Sequence, residues 1–391
     1  MRIAHLITRM VVGGAQENTL FNCEDLIRLH GDEVLLVTGP AIGPEGDLLK
    51  QGRGRSDERI DVPTRIVPSL RRAIDPWRDT TSYLALKQVI REFQPDVVHT
   101  HSAKAGFLGR LAAWKMRVPA IIHTVHGAPF HPYQSAAARG LFRWCERYAA
   151  RRCHALISVA DAMTDLMVQA HVAPREKFTT IYSGMDVEPF LKADQHREAM
   201  RRELGFAPEH IVVGKIARLF HLKGHADIIR AAAEVVKSQP NVRFLLVGEG
   251  VLREQLQTQI DAAGLREHFR FAGLVPPSDI PKYIGAMDLL VHASLREGLA
   301  RALPQALIAG KPVISYDVDG AREVTIPGQT GYLVPPQSGN LVRPMMELAG
   351  DPALRQRLGS EGRRRFADQF RHEFMTQRIR ELYERVLDRP R

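Results

Sequence analysis

The chain has 391 residues, with 54 Lys and Arg against 44 Asp and Glu, giving a formal net charge of +10; 45% of the residues are hydrophobic and 25% charged. This composition excludes a disordered, collagenous or disulfide-framework protein, and at about 150 residues per domain the length suggests two or three domains. The positive excess favours polyanions, anionic membrane surfaces or phosphorylated small molecules without choosing among them.

Short apolar runs at 3–7, 34–37, 97–99, 121–125 and 156–159 read as buried strands, and longer amphipathic runs at 83–93, 105–115 and 136–150 read as helices. The alternation predicts a mostly parallel sheet with helices on both faces. Near 186–192, Pro189 disfavours continued helix and the residues that follow are polar, which marks a linker. The pattern then restarts, with strand-like runs at 211–216, 244–247, 269–272, 289–291 and 313–315 and helices near 224–238, 251–263, 301–309 and 338–349. The expected fold class is α/β, with two Rossmann-like doubly wound domains at 1–188 and 189–370. Phe374, Ile379, Leu382 and Val386 recur at helical spacing and predict a closing helix within 371–391, whose docking site the sequence does not identify. Segment 43–61, rich in Gly, Asp, Glu and Arg, predicts a mobile surface loop.

Cys23, Cys145 and Cys153 are odd in number and lack the close pairing of a zinc knuckle, which fits a reducing compartment. No apolar stretch approaches about 18 residues, and the opening Met1-Arg2-Ile3-Ala4-His5-Leu6-Ile7 lacks a secretory pattern. The expectation is a cytoplasmic protein.

Gly13-Gly14-Ala15-Gln16-Glu17 follows the first strand and leads into a helical run. Two glycines there bring backbone N–H groups close to a phosphate or sugar, or serve only the turn; neither a Gly-x-Gly-x-x-Gly fingerprint nor a phosphate-binding loop ending in Gly-Lys-Ser/Thr is present. In the second half, Gly214-Lys215-Ile216-Ala217-Arg218-Leu219-Phe220-His221-Leu222-Lys223-Gly224 places two permanent cations after a strand. Arg218 as a fork and Lys223 as a point charge can converge on a diphosphate; a solvated basic loop is the alternative. Gly248, in Gly248-Glu249-Gly250, ends another strand as a nucleotide-binding turn or as a simple bend. Glu297, in Ser294-Leu295-Arg296-Glu297-Gly298-Leu299-Ala300, precedes an expected helix on which Gln305 lies about two turns further along, so that both can meet one polar ligand.

In this order the motifs resemble the retaining glycosyltransferases of family 4, which have the two-domain GT-B fold, and the resemblance spans nearly the whole chain. It implies that the domains face a central cleft, 1–188 on the acceptor side and 189–370 binding a nucleotide-sugar donor. Glu297 looks like the first Glu of the family's Glu, seven residues, Glu motif, contacting donor-sugar hydroxyls, with Gly298, Leu299 and Ala300 also in the donor site. Gln305 occupies the second Glu position, where the family commonly holds ribose hydroxyls; Gln still accepts through oxygen but brings no negative charge. Arg218 and Lys223 resemble the basic pair on the donor diphosphate, Gly13-Gly14 the glycine-rich loop, and Glu323 the end of the Gly-x-x-Glu element Gly320-Ala321-Arg322-Glu323. His126, in His123-Thr124-Val125-His126-Gly127, resembles the active-site His, near the donor sugar rather than acting as a general base; a structural His at a strand end is the alternative.

The implied reaction moves a sugar from a nucleoside diphosphate sugar, UDP-linked in the first reading, to a hydroxyl of a glycan or lipid-linked acceptor with retention. Arg218 and Lys223 would offset the charge that builds on the diphosphate, so no metal or other cofactor is expected, and Asp317-Val318-Asp319 is read as an accidental match to a donor-metal motif. His99, His101 and Lys104, at a polar strand exit, are expected on the acceptor side; a zinc pair of the two histidines lacks a clear third ligand. The basic and aromatic run 139–152 suits either an anionic membrane surface or ordinary core packing of Phe142 and Trp144. A non-hydrolysing nucleotide-sugar epimerase and a nonenzymatic nucleotide-sugar binder share the fold and diphosphate logic. No specific nucleic-acid motif is found.

Overall fold

The computed structural model describes residues 1–42, 46–51 and 61–388. The chain divides into two compact units, Met1–Met185 with Arg371–Arg391, and Asp186–Phe370. Each is an α/β domain built on one parallel sheet.

The first sheet contains β1 (Arg2–Arg9), β2 (Glu33–Gly39), β3 (Thr64–Ile66), β4 (Val97–His101), β5 (Ala120–Val125), β6 (Ala155–Ser158) and β7 (Phe178–Thr180), in the order β3-β2-β1-β4-β5-β6-β7. The second contains β8 (Ile211–Ile216), β9 (Val242–Val247), β10 (Phe269–Gly273), β11 (Leu289–His292), β12 (Val313–Tyr316) and β13 (Gly331–Val334), in the order β10-β9-β8-β11-β12-β13. Central strands such as β4 and β5 are buried at every residue, as expected for parallel strands covered on both faces. In each sheet the order reverses once, between β1 and β4 and between β8 and β11. A doubly wound sheet binds ligands at such switch points, outside the carboxyl ends of its strands.

Helix Pro76–Phe93 begins seven residues before the run the apolar pattern picks out. Its start is set by polar chemistry: Asp75 accepts from Arg78 N–H at 3.1 Å, Pro76 occupies the first turn, and Trp77 is 86% exposed. Of segment 43–61, residues 43–45 and 52–60 lie outside the described residues, and Leu48–Gln51 is a helical turn.

The closing helix, His372–Leu387, packs on helix Gly14–His30 in the first unit. Met375, Ile379, Leu382, Tyr383 and Val386 share one core with Ile3, Leu20, Phe21 and Leu26. Polar contacts fix its register: His372 Nδ1 lies 2.7 Å and Thr376 Oγ1 3.1 Å from Asp25 Oδ2. Asp32 accepts from Arg380 at 3.0 Å and from the N-terminal ammonium at 2.7 Å.

Candidate functional site

In the second unit, the predicted donor residues leave the carboxyl ends of β8 and β11 at the switch point. The loop after β8 is tied to its neighbours by backbone bonds from Leu219 to Glu249 at 3.0 Å and from Leu295 to Leu222 at 2.8 Å. Gly224 is left-handed, with φ +72°, and an added Cβ would lie 1.9 Å from Ala293 O, so this turn rests directly on the β11 exit. That approach brings Lys223 and Glu297 into an ion pair although 74 positions separate them. Arg218, on the same loop, is exposed, with its guanidinium carbon 5.1 Å from the Phe220 ring centroid. Gly248 has φ +139°, and a Cβ there would meet Ala217 O at 2.1 Å, so its backbone lies against the β8 exit just before Arg218.

Glu297 N–H donates to Asp319 Oδ2 at 2.7 Å, and Gly320 N–H to Gly298 O at 3.0 Å, joining the Glu297–Ala300 stretch to the short 3-10 turn Asp319–Glu323 that ends in Glu323. Asp317 instead holds Arg322 at 2.9 Å. Gln305 is half-buried within helix Ala302–Ile308.

The ground beneath the Lys223–Glu297 pair is buried, polar and under-satisfied. Burial would raise the Glu297 carboxyl, but the His292 imidazole, 3.6 Å away, and the Lys223 ammonium outweigh it and hold the group well below the usual carboxylate range. Lys215 Nζ, both ring nitrogens of His225 and His292, and Ser294 Oγ are buried with no hydrogen-bond partner among the described residues. Burial first, then neighbouring cations including Lys215, lowers His225 to about 3 and His292 to about 4, so both are neutral near pH 7. Sequence reasoning passed over this group; its signal was a lysine inside an otherwise apolar strand.

Burial, and then the Lys223 charge, push Lys215 down to about 7. At pH 6 the ammonium is carried by folded and unfolded chains alike, so the full desolvation penalty falls on the folded state. Between pH 7 and 10.5 the unfolded chain binds more protons, and stability rises with pH. Lys215→Met is therefore expected to raise stability by on the order of 3 kcal/mol at low pH, with the gain fading towards pH 10. Melting temperatures of both proteins across that range check it; a pH-independent difference would contradict it.

In the first unit, Gly13 is the N-cap of helix Gly14–His30, with no side-chain cap bond. His126 follows the end of β5. His99 and His101, expected on the acceptor side, lie inside the domain: both are 0% exposed. The parallel register sets His5 beside His99, and His101 falls on the same sheet face two residues on. Within this cluster, His5 Nδ1 lies 3.0 Å from His101 Nε2, and His101 Nδ1 lies 3.1 Å from His126 Nε2. His99 is engaged separately, by Tyr383 Oη at 2.5 Å and Thr124 Oγ1 at 2.7 Å. His5, His99 and His101 each bring one ring nitrogen within 4.8 Å of the others, so the third imidazole that a metal-binding pair lacked in sequence comes from β1. Lys104 is also drawn inward, to Asp79 at 2.5 Å and the Ala73 carbonyl, tying helix Ala103–Lys115 to helix Pro76–Phe93.

Helix Ala136–Ala150 leaves Leu141 53% and Trp144 56% exposed, so core packing does not account for Trp144. Trp144 stacks on Tyr148, which also carries the Arg152 guanidinium 3.5 Å from its ring centroid. Among the described residues, no helix is long and apolar enough to cross a membrane.

Two Rossmann-like domains, the second with Lys223 and Glu297 at the switch point of its sheet, fit a nucleotide-sugar-dependent transferase. The family models agree: the glycosyl transferase 4-like domain matches residues 13–184 and glycosyl transferases group 1 matches 196–365. The chain belongs to glycosyltransferase family 4, with the GT-B fold. It is 28% identical to the Escherichia coli UDP-Gal:alpha-D-GlcNAc-diphosphoundecaprenol alpha-1,3-galactosyltransferase, over 82% of this chain and 80% of that protein. It is likewise 28% identical to the Streptomyces fradiae 2-deoxystreptamine N-acetyl-D-glucosaminyltransferase, over 80% and 76% of the two chains. The crystal structure of Anabaena HepE in complex with UDP and glucose superposes with a TM-score of 0.82 at 23% identity, covering 98% of this chain and all of that one.

Proposed function

We propose that this enzyme transfers a sugar from a UDP-sugar to a hydroxyl of a glycan or lipid-linked acceptor, retaining the anomeric configuration, and that it does so inside the cell at an anionic membrane surface. The observation that carries the reading is the Lys223–Glu297 pair at the β8/β11 switch point, with Arg218 exposed on the same strand exit. Lys223 and Arg218 offset the negative charge that builds on the departing diphosphate, a role that two permanent cations fill without a metal. Glu297, held ionised, accepts hydrogen bonds from donor-sugar hydroxyls, while Gly298, Leu299, Ala300 and Glu323 line the sugar and diphosphate side and Gln305 takes the ribose. Gly13, Gly14 and Gly248 let backbone approach the donor, and His126 is read as a contact of the donor sugar. The Escherichia coli relative, which takes UDP-Gal and a diphosphoundecaprenol-linked sugar, supports the donor and acceptor classes. The Leu141 and Trp144 side chains, with Arg152 over the Tyr148 ring beside Trp144, form the face read as meeting the bilayer.

The test supplies purified full-length protein with UDP-, GDP- and ADP-sugars, with and without a polyprenyl-diphosphate sugar presented in anionic vesicles. UDP release that depends on acceptor, giving a product with the donor's anomeric configuration, is expected. Release of another nucleotide only, or an inverted product, would replace the reading. Sugar interconversion without transfer would make the protein an epimerase.

A further inference from the structure

His5 midway along β1, His101 at the end of β4 and His126 just after β5 form a line: His5 Nδ1 to His101 Nε2 at 3.0 Å, then His101 Nδ1 to His126 Nε2 at 3.1 Å. Both separations suit N–H···N hydrogen bonds. A neutral imidazole has one N–H and one acceptor nitrogen, so His101 can donate in only one direction and the tautomers along the line are coupled.

Two arrangements satisfy both bonds. If His101 donates to His5, the N–H of His5 sits on Nε2, which is buried with no partner among the described residues. If His5 donates from Nδ1 to His101, that buried atom is only an unpaired acceptor, and His101 donates from Nδ1 to His126 Nε2. A buried unpaired N–H is the rarer and costlier defect. Burial lowers His5 to about 3 and also depresses His101, so both remain neutral at physiological pH and the coupling holds. His126 then accepts at Nε2 and carries its own proton on Nδ1.

We propose that His101 and, behind it, His5 are positioning residues that hold His126 as its Nδ1–H tautomer, so that His126 enters the reaction as a hydrogen-bond donor and not as a proton-accepting base. The reactive role rests on the function proposed above; the tautomer does not.

The test uses full-length protein with 15N-labelled histidine, in which two-bond 1H–15N correlations read the protonated nitrogen of each imidazole. His126 is expected to show protonated Nδ1 and unprotonated Nε2. His101→Asn keeps a donor near the former Nδ1 position and loses the link to His5, whereas His101→Gln keeps the reach towards His5 and loses donation to His126. The Asn variant should preserve the His126 pattern and turn over about tenfold faster than the Gln variant at saturating donor, with melting temperatures equal in the two. A His126 that is Nε2–H in the parent, metal-shifted His5 and His101 signals, or equal turnover of the two variants would each overturn the proposal. If the parent transfers no sugar from any donor, the functional reading fails on its own, and the imidazole spectra still decide the hydrogen-bonded line.

Discussion

Lys223→Ala should lower kcat by about 100- to 1,000-fold, a loss of roughly 3–4 kcal/mol of transition-state stabilisation. Lys223 is one of only two permanent cations on the loop leaving β8, and the one that Gly224 and Leu295 press against the β11 exit. Its side chain is 20% exposed, which lets it exchange Glu297 for a bound diphosphate while staying partly shielded from water. The substitution also frees Glu297, whose carboxyl should move up towards its ordinary range once that cation is gone, weakening its grip on sugar hydroxyls at mildly acid pH. Stability should change little, since partly exposed pairs of this kind contribute about 0–1 kcal/mol. Steady-state nucleotide release and donor affinity, measured with a melting curve on the same preparation, check the prediction. A folded variant within about threefold of the parent in both would remove Lys223 from the reaction.

Deleting residues 371–391 should unfold the first unit and leave the second intact. The terminal helix contributes Met375, Ile379, Leu382, Tyr383 and Val386, each at most 6% exposed, to the core of β1, β4 and helix Gly14–His30. Burying such side chains is worth about 1.5–3 kcal/mol each. Even discounted for a compact unfolded chain, their loss rivals the total stability of an ordinary domain, about 5–15 kcal/mol. It also strands Asp25 and Asp32, which then lack His372, Thr376 and Arg380. Hydrogen exchange read strand by strand should show protection lost from β1–β7 and kept in β8–β13. Protection retained in β1 and β4 would show that the helix is an accessory.

Most of the architecture was legible because parallel strands covered on both faces appear as short, mostly apolar runs, and β1, β5, β8 and β11 were found that way. β3, β7 and β13 were not: Thr64–Ile66 is exposed at every residue, and Phe178–Thr180 and the last three residues of Gly331–Val334 are only half-buried, so these edge strands lack the pattern of a strand covered on both faces. The closing helix was legible as a helix, but its partner was not, since its polar bonds span about 350 positions and no local spacing encodes them. At the site, Arg218 and Lys223 stood out as cations after a strand and Glu297 as a carboxylate ahead of a helix, whereas the pairing of Lys223 with Glu297 across 74 positions had no local signal. The histidine line could not be read at all: His5 and His99 become neighbours only once β1 and β4 pair in register, and a polar strand exit suggested exposure where the structure has full burial.

Because Asp186–Phe370 interrupts the first unit, that unit is completed only by a helix made after the second unit. At the usual pace of synthesis the intervening segment takes on the order of ten seconds or more, long enough for a contiguous domain to form while its predecessor waits with the Leu20, Phe21 and Leu26 face uncovered. Newly made chains therefore pass through a state in which the second domain is complete and the first is sticky. That interval is where chaperone dependence and aggregation should concentrate, and a premature stop ahead of residue 371 would prolong it indefinitely.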